Sequence, residues 1–289
     1  MATKITSKLP NPEGVAAGGT ATCRVPVGRR IHSLALLYND TDQDLADFTE
    51  IRIYLNGQVF QRFSATERDV LNKLDKMQAA AGVLVMPFER QGLLTMAGIE
   101  STALNTKVKD ENGLSIESMY VEIDIASGAT IAASDLTLYA KESDAIMTDS
   151  AGKPAGAGVI PYIRRDSRTS SGADTDYQIS DLINAGVNAP DKVALVRATF
   201  RKASGAINAI RVDRNNYTVF DRPAALNSVM LNNGKRAAQS GYFTVDTGEN
   251  GLGGDVIQLF GMTDFRYRLD TSSGGSIVIL SEYLGALTA

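Results

Sequence analysis

One histidine, His32, and one cysteine, Cys23, limit the chemistry open to this 289-residue chain. A Ser/His/Asp relay would have to run through His32, and a zinc site built from several His or Cys ligands is out of reach. His32 follows Arg29-Arg30 and leads into the strand-like run LALLY, so it is expected as a structural residue, at a strand edge or partly buried. Asp and Glu total 33, enough for a carboxylate pair, but no pair stands out by spacing. The run Asp40-Thr41-Asp42-Gln43-Asp44, with Asp47 close by, alternates oxygen ligands as hard cations prefer. Leu45 stands where the helix-loop-helix calcium pattern needs glycine, and Ile51 where it needs glutamate. The run is therefore read as an acidic interstrand loop, with calcium at Asp40, Asp42 and Asp44 as the open alternative. GENGLGGD at 248–255 lacks the lysine of a phosphate-binding loop and does not lead from strand into helix, which makes it a turn. Arg164-Arg165 and Arg168, beside Tyr162, form a short basic cluster that suits a subunit contact or plain exposure better than lipid headgroups or nucleic acid. No catalytic, cofactor-binding or metal-binding residue is assigned.

The rest of the chain has the composition of a globular protein. Hydrophobic residues at 44% and charged residues at 21% can support a core in each of two domains of ordinary size. A net charge of -4 offers no basic face for coating nucleic acid. A lone cysteine forms no internal disulfide, and no apolar run nears the ~20 residues that span a bilayer. MATKITSKLPNPEG lacks the charged start and apolar stretch of a secretory signal, so synthesis in a cytoplasm is expected. Pro10, Pro12 and the glycines at 14, 18 and 19 suggest an N-terminal arm over residues 1–19, either crossing another surface or frayed.

From Ala21 onward the sequence reads as short apolar runs separated by turn residues, an all-β pattern. Strands are expected near 20–26, 31–38, 48–55, 58–63, 82–88, 102–108, 117–125 and 135–141. Asn56-Gly57 between IRIYL and QVFQRF signals a tight hairpin, because both residues tolerate positive φ. Ser64-Ala65-Thr66-Glu67 is a capping box, and Val70, Leu71, Leu74 and Met77 then recur at helical spacing, which predicts a helix from about Ala65 to Gln78.

The second half repeats this order. Leu34-Ala35-Leu36-Leu37 falls on Val193-Ala194-Leu195-Val196, and Ile51-Arg52-Ile53 on Ile210-Arg211-Val212 without a gap. One inserted residue then brings Val59-Phe60 onto Val219-Phe220, Arg62 onto Arg222, Ala65 onto Ala225 and Leu71-Asn72 onto Leu231-Asn232. A second helix is expected from Pro223, followed by GYFTVDT, DVIQLFGM, DFRYRLD and SIVILSEYL as strands, giving about eight strands per half. Periodicity leaves a barrel and a double-sheet jelly roll equally open. The Gly-, Ala- and Ser-rich stretch Ser143–Gly158 is read as the linker, with the boundary near Lys153. The domains are thus an arm at 1–19, a first module at 20–150, and a linker with the second module at 151–289. Tyr54, Phe60, Tyr217 and Phe220 are expected in the cores.

IRIYLNGQVFQRFSATERDVLNKL, hairpin then helix, with its echo from Ile210 to Asn232, resembles the double jelly-roll major capsid proteins of tailless icosahedral bacteriophages with an internal membrane, the corticovirus and tectivirus group. The resemblance implies two tandem eight-stranded jelly rolls, each with a short helix between its fifth and sixth strands. It also implies a capsid subunit whose homotrimer presents six rolls as a nearly hexagonal block of an icosahedral virion shell. Partners would be other copies of the chain, other virion proteins such as a vertex protein, and an internal viral membrane; no cofactor and no catalytic residue would be needed. The cupin enzymes share jelly-roll architecture, but their multi-histidine metal site cannot be built from one histidine.

Two other classes compete. A non-enzymatic tandem binding module, lectin-like or from a phage fibre, would be equally rich in strands, but aromatics are sparse and tryptophan is absent, so no sugar-stacking groove is indicated. An enzyme of the glycosidase type would need a cleft holding two perturbed carboxylates.

Overall fold

The computed structural model describes residues 3–149, 151–183 and 192–287; Met1 and Ala2 of the expected arm and Ser150 of the expected linker lie outside them. The chain divides into two compact units, Met1–Tyr162 with Gly285–Ala289, and Ile163–Leu284.

In the first unit the elements are β1 (Ile5–Lys8), β2 (Thr20–Arg24), β3 (Arg30–Leu37), β4 (Phe48–Leu55), β5 (Gln58–Phe63), α1 (Ala65–Leu74), β6 (Val83–Pro87), α2 (Met96–Ser101), β7 (Leu104–Asn105), β8 (Met119–Ile125) and β9 (Thr137–Ser143). They form two sheets, ordered β1-β9-β3-β6 and β5-β4-β8-β2, with the two-residue β7 added to β3. Strands such as β8 show why the sheets face each other: Met119, Val121, Ile123 and Ile125 are buried, while Tyr120, Glu122 and Asp124 between them are half-buried.

The second set is β10 (Ile160–Ser170), β11 (Asp174–Ile179), β12 (Ala194–Lys202), β13 (Ile207–Arg214), β14 (Tyr217–Pro223), α3 (Ala224–Leu231), β15 (Tyr242–Asp246), β16 (Ile257–Gln258), β17 (Phe265–Thr271) and β18 (Gly275–Gly285). Its sheets run β15-β12-β18-β10 and β11-β17-β13-β14, with the short β16 added to β12. Leaving out β7 and β16, both sets pair first strand with eighth, eighth with third and third with sixth, and in the other sheet second with seventh, seventh with fourth and fourth with fifth. That is the jelly-roll order, made twice. The helix between fifth and sixth strands, α1 or α3, is present in both.

The repeat assigned from sequence joins the right elements: Leu34–Leu37 lies in β3 and Ala194–Val196 in β12, both third strands, and Ile51–Ile53 lies in β4 and Ile210–Val212 in β13, both fourth strands. Its gapless register is corrected in the third strand: Ser33 lies opposite Pro87 and Arg197 opposite Asp246, so Leu34–Leu37 answers to Ala198–Arg201, beyond the expected Val193–Val196, and the longer loop before β4 takes up the difference. Asn56 and Gly57 have φ of 49° and 79°, and Asn215 and Asn216 have φ of 49° and 64°, so both hairpins turn through two left-handed residues. The expected insertion is corrected by the registers. Ile53 pairs with Gln61 and Val212 with Phe220 across equal spans, each ladder shifting register one residue closer to the turn, so the hairpins coincide without an added residue.

Other expectations are also corrected. Residues 1–19 include the strand β1, antiparallel to β9 with Ile5 opposite Glu142, and Gly285–Ala289 belong to the first unit. ITSK is too short to show period-2 alternation, which hid it. Around 102–108 only Leu104–Asn105 is strand, and α2 precedes it. α1 stops at Leu74 instead of Gln78: Lys76 enters the left-handed region at φ 54°, Lys76 N–H donates to Lys73 O at 3.0 Å, and Met77 N–H donates to Asn72 O at 2.9 Å. These two bonds are a Schellman ending. The predicted start holds, since Ser64 Oγ accepts from Glu67 N–H and Glu67 returns to Ser64 N–H.

Candidate functional surface

His32 lies in β3 and is 1% exposed. Its Nδ1 is 2.6 Å from Glu89 Oε1 and its Nε2 2.8 Å from Ser143 Oγ. The connectivity is that of a hydrolytic relay, but Ser143 is 3% exposed, so the hydroxyl faces protein and not substrate. Chemically the trio ties β3 to the end of β9 and to the segment after β6. Lys4 approaches Glu89 at 3.8 Å and Glu100 at 2.7 Å, balancing the carboxylates around it. Cys23 is buried in β2, and that burial pushes its thiol up to about 11, which keeps it protonated and inert.

Asp42, Asp44 and Asp47 of the aspartate run bond within their own loop. Asp44 caps the short 3-10 helix Leu45–Asp47, its own N–H meets Asp47 Oδ2 at 2.9 Å, and Asp42 accepts from Asn39 Nδ2 at 2.8 Å. Among the described residues no three His, Cys, Asp or Glu side chains converge to hold a metal ion. Arg168 makes a two-point contact with Asp181, at 3.1 and 2.8 Å. Tyr162 is buried, with its hydroxyl donating to Ala286 O at 2.8 Å, so it forms no exposed basic-aromatic patch with the arginines. In the glycine-rich turn Glu249 accepts both Nη atoms of Arg222 at 2.8 and 2.9 Å, anchoring the loop to β14.

A cavity of about 490 Å³ lies in the second unit between α3, residues 238–243 and Gly205–Ile207. Its lining includes Lys202 and Asn227 but no carboxylate or imidazole, so it holds no acid-base pair. Asn227 Nδ2 donates to Thr244 O at 2.8 Å.

On the outer face of the first unit, Arg52 of β4 binds Asp124 through both terminal nitrogens at 2.7 and 2.8 Å, Glu122 at 3.1 Å and Glu50 at 2.7 Å. Burial alone would raise Glu50 and Asp124. Hydrogen bonds from Arg62 and Arg52 to Glu50, and from Thr20 and Arg52 to Asp124, outweigh it and hold both below the usual carboxylate range. Arg211, at the matching place in β13, binds Asp213, and Arg268 of β17 bridges Asp176 and Asp213. Phe60 and Phe220 are core residues as expected. Tyr54 instead stacks on Tyr120 over this charged face, with centroids 4.4 Å apart, and Tyr217 is 78% exposed because it starts the edge strand directly after the turn. Exposed apolar side chains continue from there: Val219 in β14 and Leu226, Val229 and Met230 in α3. Sequence reasoning missed this surface, since apolar residues on a strand and helix read as core.

The geometry thus offers buried polar ties, ladders of ion pairs and an exposed apolar flank, a set suited to a stable building block. A family model for the viral coat protein P2 N-terminal domain matches residues 6–143, and one for the viral coat protein P2 C-terminal domain matches 160–287. No curated protein matches. Among solved structures, the major capsid protein P2 of bacteriophage PM2 superposes with a TM-score of 0.82 at 17% identity, covering 99% of this chain and 98% of that one. A structure of Sulfolobus turreted icosahedral virus gives 0.66 at 10% identity with 97% and 90% coverage. The capsid of the virus PBCV-1 gives 0.60 at 9% identity with 98% and 93%. These likenesses establish the double jelly-roll fold, and with the two domain models spanning nearly its whole length the chain belongs to the viral coat protein P2 family.

Proposed function

We propose that this coat protein is the major capsid subunit of an icosahedral bacteriophage, and that three copies close into a ring whose six rolls approximate a hexagon. One observation carries the reading: a single chain makes the same eight-strand order twice. A cyclic trimer repeats one heterologous contact three times, and a tandem of similar rolls turns that threefold ring into a near-sixfold outline. Such a tile fills a shell by shape and adhesion, without turnover. Other virion proteins, such as a vertex protein, and an internal membrane would complete its surroundings, with synthesis in the host cytoplasm and residence in the virion.

Light scattering on the purified chain tests this. The expected mass is three times 30.8 kDa and holds on dilution. A mass of one chain at every concentration rejects the ring.

A further inference from the structure

The two fifth strands differ in what lies along their outer edge. In the first unit, residues Ile160–Tyr162, the start of β10, run beside β5. Gln61 Nε2 donates to Pro161 O at 2.9 Å, and the rings of Phe60 and Tyr162 meet edge-on with centroids 6.3 Å apart. Beneath that cover Phe60, Gln61 and Phe63 are all buried. In the second unit β14 pairs only with β13 among the described residues, and only Phe220 of its seven residues is buried. The helix that follows repeats the contrast. α1 buries Ala65, Glu67, Arg68, Leu71, Asn72 and Leu74, whereas α3 buries only Asn227 and Leu231.

The strand edge exposes Tyr217 and Val219 in its first half, with its charges and proline confined to Asp221, Arg222 and Pro223 at its end, so that first half is a template for another strand. The strand that covers β5 is the first strand of a roll. The only other first strand is β1, and it too has an open edge: it pairs with β9 alone among the described residues, and Ile5 is 42% exposed. The charges agree. Lys8 in β1 and Asp221 in β14 are both exposed and neither has an ion-pair partner among the described residues.

We propose that in the assembled protein β1 of one copy pairs along β14 of the next, repeating between chains the cover that Ile160–Tyr162 gives β5 within the chain, with α3 closing the apolar side of the contact. This rests on the ring proposed above and names its seam. Each chain offers one β1 and one β14, so the contact is heterologous, and in the ring proposed above it is made three times.

The test is thiol cross-linking with a short bis-maleimide, against a background in which the native Cys23 is 1% exposed. In the Thr6→Cys, Val219→Cys double variant the expected product on a denaturing gel is a covalent species of three chains. An equimolar mixture of the two single variants should stop at two chains, and either single variant alone should stay at one. Val219→Lys alone should lower the solution mass from three chains to one. A wild-type mass of three chains with no cross-link, and with Val219→Lys still trimeric, overturns the strand pairing and leaves the ring standing. A wild-type mass of one chain overturns both.

Discussion

His32 shows how far a single residue can be read without its neighbours. Its count and its place before an apolar run suggested a strand-edge or partly buried position, whereas it is 1% exposed in a strand paired on both sides. What the chain order could not show is that Glu89 and Ser143, distant in sequence, close on its two nitrogens, because that juxtaposition is made by the pairing of β3 with β9 and β6. His32→Phe strands a carboxylate and a hydroxyl in a site built for hydrogen bonding. The expected loss is roughly 1–3 kcal/mol in urea unfolding, with the mass of the assembled protein unchanged. Cys23 gives a second residue-scale prediction. Since burial lifts its thiol to about 11, Ellman's reagent at pH 8 should find no reactive thiol in the native protein and one per chain after denaturation. Prompt native reaction would mean that β2 opens readily.

At the scale of elements, the hairpins were the most legible feature and also carry a duty the sequence hid. Asn56 Oδ1 accepts from Glu117 and Ser118 N–H at 2.8 and 3.2 Å, just before β8; Asn215 Oδ1 accepts from Thr263 and Asp264 N–H at 2.8 and 3.2 Å, just before β17. In both rolls the turn residue therefore clamps the entry to the seventh strand. Asn215→Ala removes those bonds and places a Cβ residue without a local acceptor at positive φ, so a loss of roughly 1–3 kcal/mol is expected, read by the denaturation midpoint. The ion-pair ladders set the pH response. Glu50 and Asp124 have folded pKa values below their unfolded ones, so their contribution is fully present above the unfolded carboxylate pKa of about 4 and fades as pH falls through it. Asp176 and Asp213 add the same sign in the second unit: hydrogen bonding to Arg268 lowers Asp176, and bonds from Arg211 and Thr218 overcome burial at Asp213. Urea midpoints should fall between pH 5 and 3, and Arg52→Met should flatten that slope while lowering stability at pH 7. The strand β1, by contrast, was illegible because four residues carry no period and their pairing partner lies at the far end of the roll.

At the scale of the whole molecule, repetition was readable because the same local chemistry recurs: a left-handed two-residue turn, an arginine on the fourth strand and a helix after the fifth. The division between rolls was harder, since Gly285–Ala289 return to the first unit and Leu287 is buried there. Each unit has its own core, one around Phe48, Ile51, Phe60 and Phe63 and the other around Phe200, Tyr267, Ile279 and Tyr283, so each has the means to unfold by itself. The residue-scale variants then become reporters. In the Val219→Lys background, where the seam is removed, calorimetry should resolve two transitions, with His32→Phe lowering only one and Asn215→Ala only the other. Two variants that shift a single shared transition together would mean that the rolls melt as one cooperative body, and the tandem would then be one folding unit that merely repeats its strand order.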